Sequence, residues 1–220
     1  MWQKVKNIYH LLVALLANIW FGFPSNKLTV IGVTGTDGKT TTVGLIYHIL
    51  HTSGMSASMV STAGAIINGE TFDVGFHVTT PSSWKLQKFI KQASESAAPR
   101  KFLVLEVTSH ALDQYRAWGI DFTVGVLTNV SREHLDYHKT WEKYVNTKAK
   151  LLTSANIALV NKDDASFKLL SHLKCLTYGR EHADFNLKDF PFTTKLIGEF
   201  NAYNILAAVA CAKALGISDT

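Results

Sequence analysis

From Lys27 onward, short β-branched and apolar runs alternate with longer stretches whose apolar positions recur at helical spacing, the pattern of a parallel sheet covered by helices. The strand candidates are Leu28–Val33, Ala57–Ser61, Phe102–Val107, Phe122–Thr128 and Ile157–Val160. Helix candidates lie between and after them at Lys39–Ser53, Ser82–Ala97, Thr140–Leu152 and Ala165–Leu173, the second opened by a Pro-Ser-Ser cap signal. Two later strands, Cys175–Tyr178 and Thr193–Ile197, precede a last helix from about Ala202 to Leu215, ended by Gly216. In open sheets of this kind ligands collect beyond the carboxyl ends of the strands, so the residues after each strand are the first candidates for chemistry.

Ahead of this pattern, Ile8–Phe23 is almost continuously apolar and follows a basic start, Met1-Trp2-Gln3-Lys4-Val5-Lys6. As a helix, its 16 residues reach about 24 Å, short of the ~30 Å hydrocarbon core of a bilayer. Tyr9, His10 and Asn18 interrupt the run. An interfacial or docking helix, an ordinary packed helix, and a cleaved signal or true span all remain open. Pro24-Ser25-Asn26 reads as a break, so residues 1–27 form an appendage and 28–220 the main domain.

Composition narrows the function classes. Of the 220 residues, 47% are hydrophobic and 18% charged, which excludes a disordered or collagen-like chain. The net charge is +5, yet only four of the 22 basic residues are Arg, the side chain best suited to forked contacts with phosphates and bases, so no nucleic-acid partner is expected. Cys175 and Cys211 sit far apart in apolar surroundings without metal-ligand spacing. They suit buried thiols in a reducing, cytoplasmic compartment better than a disulfide.

The first strand runs into Gly35-Thr36-Asp37-Gly38-Lys39-Thr40-Thr41-Thr42 and then a helix. Glycines let backbone N–H groups turn toward one anion and the helix N-terminus adds positive potential. Lys39 can reach terminal phosphates, and Thr40 can ligate Mg²⁺. A strict Walker loop has Gly where Val33 stands, but the order of strand, loop and helix is the required one. Glu106 ends the apolar run of the third strand candidate, where a solvated carboxylate and a metal ligand are both consistent with the spacing. Asn129, just past a strand, fits either a nucleotide contact or a cap for the following loop. Read alone, Thr79-Thr80-Pro81 is an N-cap with a first helical turn, Lys148 a solvated helix lysine, and His110 and His138 hydrogen-bonded structural neighbours.

The GTDGKTTT loop, the segment Glu106-Val107-Thr108-Ser109-His110-Ala111-Leu112, and the segment Leu127 to His138 (LTNVSREHLDYH) together resemble the Mur ligases, most closely the branch that adds the third amino acid to a UDP-N-acetylmuramoyl-dipeptide. The resemblance runs from about Leu28 to the C-terminus. It implies a P-loop-type α/β central domain with a parallel sheet, carrying an N-terminal apolar helical appendage, in an ATP-dependent amide-forming enzyme of peptidoglycan precursor synthesis. It implies ATP contacts at Gly35, Thr36, Asp37, Gly38, Lys39, Thr40, Thr41, Asn129, Asn201 and Asn204, the last two from Gly198-Glu199-Phe200-Asn201-Ala202-Tyr203-Asn204, similar to a G-x-F-N-x-x-N segment near the nucleotide. Thr79, Thr80, Ser109, Gln114 and Arg116 resemble the residues that hold the muramoyl-peptide.

Two Mg²⁺ ions are implied, one held by Thr40 and Glu106 and the other by His134 and a carbamylated Lys148, with Lys39, Glu106, His134 and Lys148 forming the catalytic set. A plain ammonium would repel a metal, whereas capping the neutral amine with CO₂ gives a carboxylate. The implied partners are a UDP-N-acetylmuramoyl-peptide and an amino acid, with peripheral membrane contact through residues 1–24. Related alternatives are a folylpolyglutamate synthase-like or lipid-linked muramoyl amidating ligase subunit, and a nucleotide-binding module inactive without a partner domain.

The sequence departs from the pattern in three places. Asp37 stands where the family usually has Asn, His or Lys, and its charge is tolerable beside phosphates only if it faces a cation or points away. Thr108 replaces the commoner Ser. The family's N-terminal uridine-binding domain and C-terminal amino-acid-binding domain, the latter needing roughly 100–150 residues, are not expected within these 220 residues.

Overall fold

The computed structural model describes residues 2–75, 80–133 and 135–217. Helix α1 (Trp2–Phe21) leads through a short 3-10 turn at Pro24–Lys27 into β1 (Thr29–Thr34), α2 (Lys39–Thr52) and β2 (Ser56–Ser61). There follow β3 (Gly64–Ile67), β4 (Glu70–Phe72), α3 (Ser83–Ser94), β5 (Lys101–Glu106) and α4 (Ser109–Asp113). The remainder is β6 (Phe122–Leu127), α5 (Leu135–His138), α6 (Trp141–Ser154), β7 (Ala155–Asn161), α7 (Phe167–Leu170), β8 (Leu176–Tyr178) and α8 (Phe200–Ala214).

The strands form one eight-stranded sheet in the order β4-β3-β2-β5-β1-β6-β7-β8. From β2 to β8 every pairing is parallel, while β3 and β4 add an antiparallel hairpin at one edge. The continuous apolar runs of β1, β5 and β6 are explained by burial on both faces. Ile31, Val33, Phe102, Val104, Val124 and Val126 pack on one side with Val43, Ile46 and Leu50 of α2 and Leu206, Ala207 and Cys211 of α8. Val30, Leu103 and Leu105 alternate to the other side and meet Leu86, Phe89 and Ile90 of α3. Leu127, Val160, Tyr144, Val145 and Leu152 form a third cluster beneath α6.

β1 leads to β2 on one side of the sheet, whereas its neighbours β5 and β6 lead to β6 and β7 on the other, so the connections diverge at the carboxyl end of β1. A crevice opens at such a switch point. The loops after β1, β5 and β6 meet there, and that convergence places the site.

Several sequence expectations are corrected. Thr193–Ile197 forms no strand; Ile197 is 90% exposed. Among the described residues, an isolated bridge from Tyr178 to Phe185 is what continues the sheet beyond β8, and Thr193–Ile197 pairs with no strand. The hairpin of β3 and β4 was not expected, although Asn68 and Gly69 at its tip both take the positive φ that a tight hairpin turn requires. The helix expected over Ala165–Leu173 is confined to α7, and the last helix begins two residues early, at Phe200. Both cysteines are free, but only Cys211 is fully buried.

Helix α1 is docked on the domain. Ala14, Ala17 and Asn18 are fully buried. Asn18 Nδ2 donates to Ala14 O (2.8 Å) and Trp118 O (2.9 Å), and Asn7 Nδ2 donates to Asp113 O (3.0 Å). Phe21 packs edge-on against Trp84 of α3. Among the described residues no helix is long and apolar enough to cross a membrane.

Candidate functional site

The loop between β1 and α2 is held by main-chain and side-chain contacts to the end of β6. Thr36 N donates to Asn129 O and Asp37 N to Asn129 Oδ1, both at 2.9 Å, while Thr128 Oγ1 donates to Asp37 O at 2.7 Å. Two glycines permit this close packing. A Cβ at Gly35 would lie 1.8 Å from Thr128 Oγ1, and one at Gly38, where φ is +77°, would lie 2.2 Å from Asn204 Oδ1. Asn204 is itself held by Asn201, which anchors to Ile197 O, so the start of α8 closes the other side of the loop. The orientation of the loop is therefore set by strand ends and by α8 before any ligand arrives.

Lys39 and Thr40 open α2 with Thr41 in its first turn, where unpaired N–H groups and the helix dipole favour an anion. Lys39 Nζ folds back onto Thr36 O at 2.7 Å. Thr40 Oγ1 donates to Glu106 Oε2 at 2.9 Å, and Thr62 N donates to the same oxygen at 2.9 Å. A buried carboxylate and a threonine hydroxyl beside a phosphate loop fit the donor set of Mg²⁺, which takes one or two protein oxygens and completes its shell with phosphates and water. Among the described residues no group of three His, Cys, Asp or Glu forms a self-sufficient metal cage.

Lys148, 1% exposed, projects from α6 beneath the loop and is no solvated helix lysine. Its Nζ donates to Gly35 O at 2.6 Å and lies 4.3 Å from the centre of the Tyr144 ring. Burial, and then the charge of Lys39, hold its pKa well below the usual lysine value, while Asp37 and Glu133 act in the opposite direction. Asp37 is exposed, and its backbone N–H and C=O, not its carboxylate, hold the loop to the end of β6. His134 and Thr79 lie outside the described residues.

On the other side of Glu106, Thr80 Oγ1 donates to Glu106 O (3.1 Å) and accepts from Thr108 N (3.1 Å). Thr80 O accepts from Arg116 Nη1 at 2.6 Å, and the buried Nε of Arg116 has no partner among the described residues. Thr108 caps α4 by accepting from Ala111 N, a role Ser would fill equally well. Ser109 is buried, with its hydroxyl 3.1 Å from His138 Nε2. The His138 ring packs on Tyr144, whose hydroxyl accepts from Thr36 Oγ1 at 3.4 Å. A line of contacts therefore joins α4, α5 and α6 to the phosphate loop. Gln114 closes α4, with its side chain on Tyr137. Thr80, Ser109, Gln114 and Arg116 are thus gathered on one flank of the crevice, and the loop and Lys148 on the other.

Beside the loop is a hollow of about 530 Å³ that sequence reasoning missed in part. It is lined by Asp37, Gly38, Asn129 and Asn204, and by Asn161, Asp163, Phe200 and Tyr203. Asn161 ends β7 and Asp163 lies just beyond it, so the rule of strand carboxyl ends could have found them. Asp164, next to them, accepts from Val130 N (3.2 Å) and Ser166 N (3.0 Å), tying the β6 and β7 loops together. Phe200 and Tyr203 offer aromatic faces, and the Asn and Asp side chains offer polar edges. That combination suits a nucleoside joined to the phosphates in the loop.

The family model for the Mur ligase middle domain matches residues 33–212. The chain is 37% identical to UDP-N-acetylmuramyl-tripeptide synthetase 2 of Oceanobacillus iheyensis, over 90% of this chain and 46% of the relative. It is 39% identical to a UDP-N-acetylmuramoyl-L-alanyl-D-glutamate--2,6-diaminopimelate ligase of Aquifex aeolicus, over 91% and 45% respectively. Among solved structures, one of a UDP-N-acetylmuramoyl-L-alanyl-D-glutamate--2,6-diaminopimelate ligase superposes with a TM-score of 0.71 at 29% identity, covering 87% of this chain and 44% of that one. The MurF ligase of Thermotoga maritima in complex with ADP, at 21% identity and a TM-score of 0.63 over 93% of this chain and 50% of that one, shares the fold. The chain spans about half the length of the curated relatives it matches.

Proposed function

Because the chain belongs to the Mur ligase family, through its middle domain, we propose that it carries the ATP site of a ligase that joins an amino acid to a UDP-N-acetylmuramoyl-dipeptide. The observation that carries this reading is the meeting of the phosphate loop, the Thr40–Glu106 pair and the buried Lys148 at the end of β1. A carboxylate and an amine do not condense in water unaided. In the proposed reaction a carboxylate oxygen of the muramoyl-peptide attacks the γ-phosphorus of ATP and ADP leaves. The amine nitrogen of the amino acid then attacks the acyl carbon, phosphate departs, and the amine loses a proton.

Both reactants of the first step are anions, so the protein's task is to neutralise and align them. Lys39 and the N-terminus of α2 would hold the terminal phosphates. Thr80, Ser109, Gln114 and the spare donor of Arg116 would hold the muramoyl-peptide on the opposite flank, and the family resemblance assigns Thr79 to the same ligand. Asn161, Asp163, Phe200 and Tyr203 would receive the nucleoside, with Asn201 and Asn204 fixing the loop edge.

Thr40 and Glu106 would hold one Mg²⁺, and His134 with Lys148 the other; the ions would supply charge neutralisation between the two anions. Lys148 enters as a carbamate in this reading. Its depressed pKa favours the neutral amine, whose nitrogen adds to the carbon of CO₂ and releases a proton. We also propose that residues 1–24 meet a membrane at its periphery. The test of the main reading is titration calorimetry of Mg-ATP against the chain and its Lys39→Ala variant, followed by mass spectrometry of the complete protein with UDP-N-acetylmuramoyl-dipeptide and a panel of amino acids. Nucleotide binding lost in the variant and an amide product from the complete protein are the expected results. Equal binding by the variant would remove the phosphate-loop assignment.

A further inference from the structure

Helix α1 has two apolar faces, and the domain covers only one of them. Its inner face, with Ala14, Ala17 and Asn18, is buried. On the outer face Val5, Ile8, Leu12, Leu16, Ile19 and Trp20 follow one another at three, four or one residue spacing and are each 53–74% exposed. A helix packed as part of a core turns a polar face to water, so a continuous apolar stripe on the water side calls for a second partner.

We propose that this stripe is the seat of an anionic phospholipid surface, and that α1 binds it while remaining docked on the domain. The inference rests on the membrane contact proposed above and deepens it by naming the face and the partner. Charge selects the occupant. Residues 2–27 contain no Asp or Glu, while Lys4 and Lys6 lie in the first turns of α1 and Lys27 follows it. At the far end Trp20 packs on Trp84 of α3, centroids 5.9 Å apart, and Lys85 and Lys88 come next on that helix. A second copy laid on this face would bring like charges together, whereas phosphatidylglycerol headgroups would meet them with opposite charge. Tryptophan and lysine beside exposed Leu and Ile is the composition of a helix lying in the plane of the headgroups. The helix does not need to leave the domain to do so, because Asn7 and Asn18 bind the domain from the opposite face.

The experiment is flotation of the full chain with vesicles of equimolar phosphatidylglycerol and phosphatidylcholine, and with phosphatidylcholine alone. Binding to the anionic vesicles is expected, accompanied by a blue shift of Trp emission. Leu12→Glu and Leu16→Glu, at exposed positions, should retain the wild-type melting temperature and lower vesicle affinity on the order of tenfold or more each. Hydrogen exchange of the Asp113–Trp118 segment should be unchanged on the vesicles if α1 stays docked. Failure of the wild-type chain to float would overturn both the membrane contact and this inference. Flotation that is unaffected by the Glu variants would overturn the face assignment alone. Faster exchange at Asp113–Trp118 on vesicles would overturn the docked state. A dimer by light scattering that the Glu variants dissolve, without vesicle binding, would assign the stripe to a second copy instead. The nucleotide reading is untouched by any of these outcomes.

Discussion

Glu106→Gln separates the structural from the metal-binding role of this carboxylate. One oxygen, Oε2, accepts from both Thr40 Oγ1 and Thr62 N at 2.9 Å, and the side chain is buried. Truncation to Ala would take away the acceptor shared by a threonine hydroxyl and a backbone N–H and leave a space where the buried side chain was, and so confound folding with function. Glutamine keeps a carbonyl oxygen in the same place, so its melting temperature should stay within a few degrees of wild type. What it loses is the negative charge. A charge-assisted interaction contributes about 1.5–3 kcal/mol, so Mg-ATP affinity should fall about ten- to hundredfold.

With metal chelated, the sign should reverse. The wild-type carboxylate then faces the triphosphate uncompensated, and the neutral variant should bind free ATP as well as wild type or better. Titration calorimetry with and without Mg²⁺ reads both halves. Equal loss in the two conditions, or no loss in either, would refute the assignment of Glu106 to the metal.

Other expectations can be checked in the same way. Gly38→Ala, at φ +77° and with its new methyl 2.2 Å from Asn204 Oδ1, should displace the start of α8 and reduce nucleotide affinity, read by calorimetry together with a melting curve. Lys148→Ala in the complete protein should lose ligase activity and regain part of it with added short carboxylates, which can stand in for a carbamate; full activity without rescue would leave Lys148 with no part in catalysis. Asn18→Leu removes the bond to Trp118 O and leaves that carbonyl short of a partner, so it should destabilise the domain by about 1–3 kcal/mol in urea melts. Asp184, whose pKa is lowered by hydrogen bonds from the Thr177 hydroxyl and N–H, should stabilise the end of β8 above the ordinary carboxylate pKa near ~3.9 and lose that effect as pH falls through its lower folded value. Melting temperatures of wild type and Asp184→Asn should therefore differ at neutral pH and converge in acid.

The parallel strands were legible because burial on both faces leaves unbroken apolar runs, and the phosphate loop because glycines, Lys39 and Thr40 follow such a run directly. The hairpin of β3 and β4 escaped notice since its strands are short and carry no long alternation, leaving the Asn68-Gly69 turn as the only signal. Thr193–Ile197 misled for the opposite reason, having strand-like residues that pair with no strand among the described residues. Within the site, Lys148 reads as a surface residue from composition alone. Its burial depends on α6 crossing beneath Gly35, a tertiary fact no local pattern encodes. The contact between His138 and Ser109 likewise joins residues 29 positions apart. Asn161 and Asp163 could have been found from the end of β7, whereas Phe200 and Tyr203 needed the placement of α8. The two faces of α1 could not be assigned to domain and solvent because both are apolar.

The central claim is that the crevice at the end of β1 activates a carboxylate by phosphorylation, and the path of one oxygen atom tests it most directly. UDP-N-acetylmuramoyl-dipeptide labelled with heavy oxygen in its free carboxylates is turned over by the complete protein with Mg-ATP and an amino acid, and the released phosphate is analysed by mass spectrometry. Activation by phosphorylation transfers one labelled oxygen to phosphate for each amide formed. Amide formation with unlabelled phosphate, or label recovered in AMP, would contradict the account.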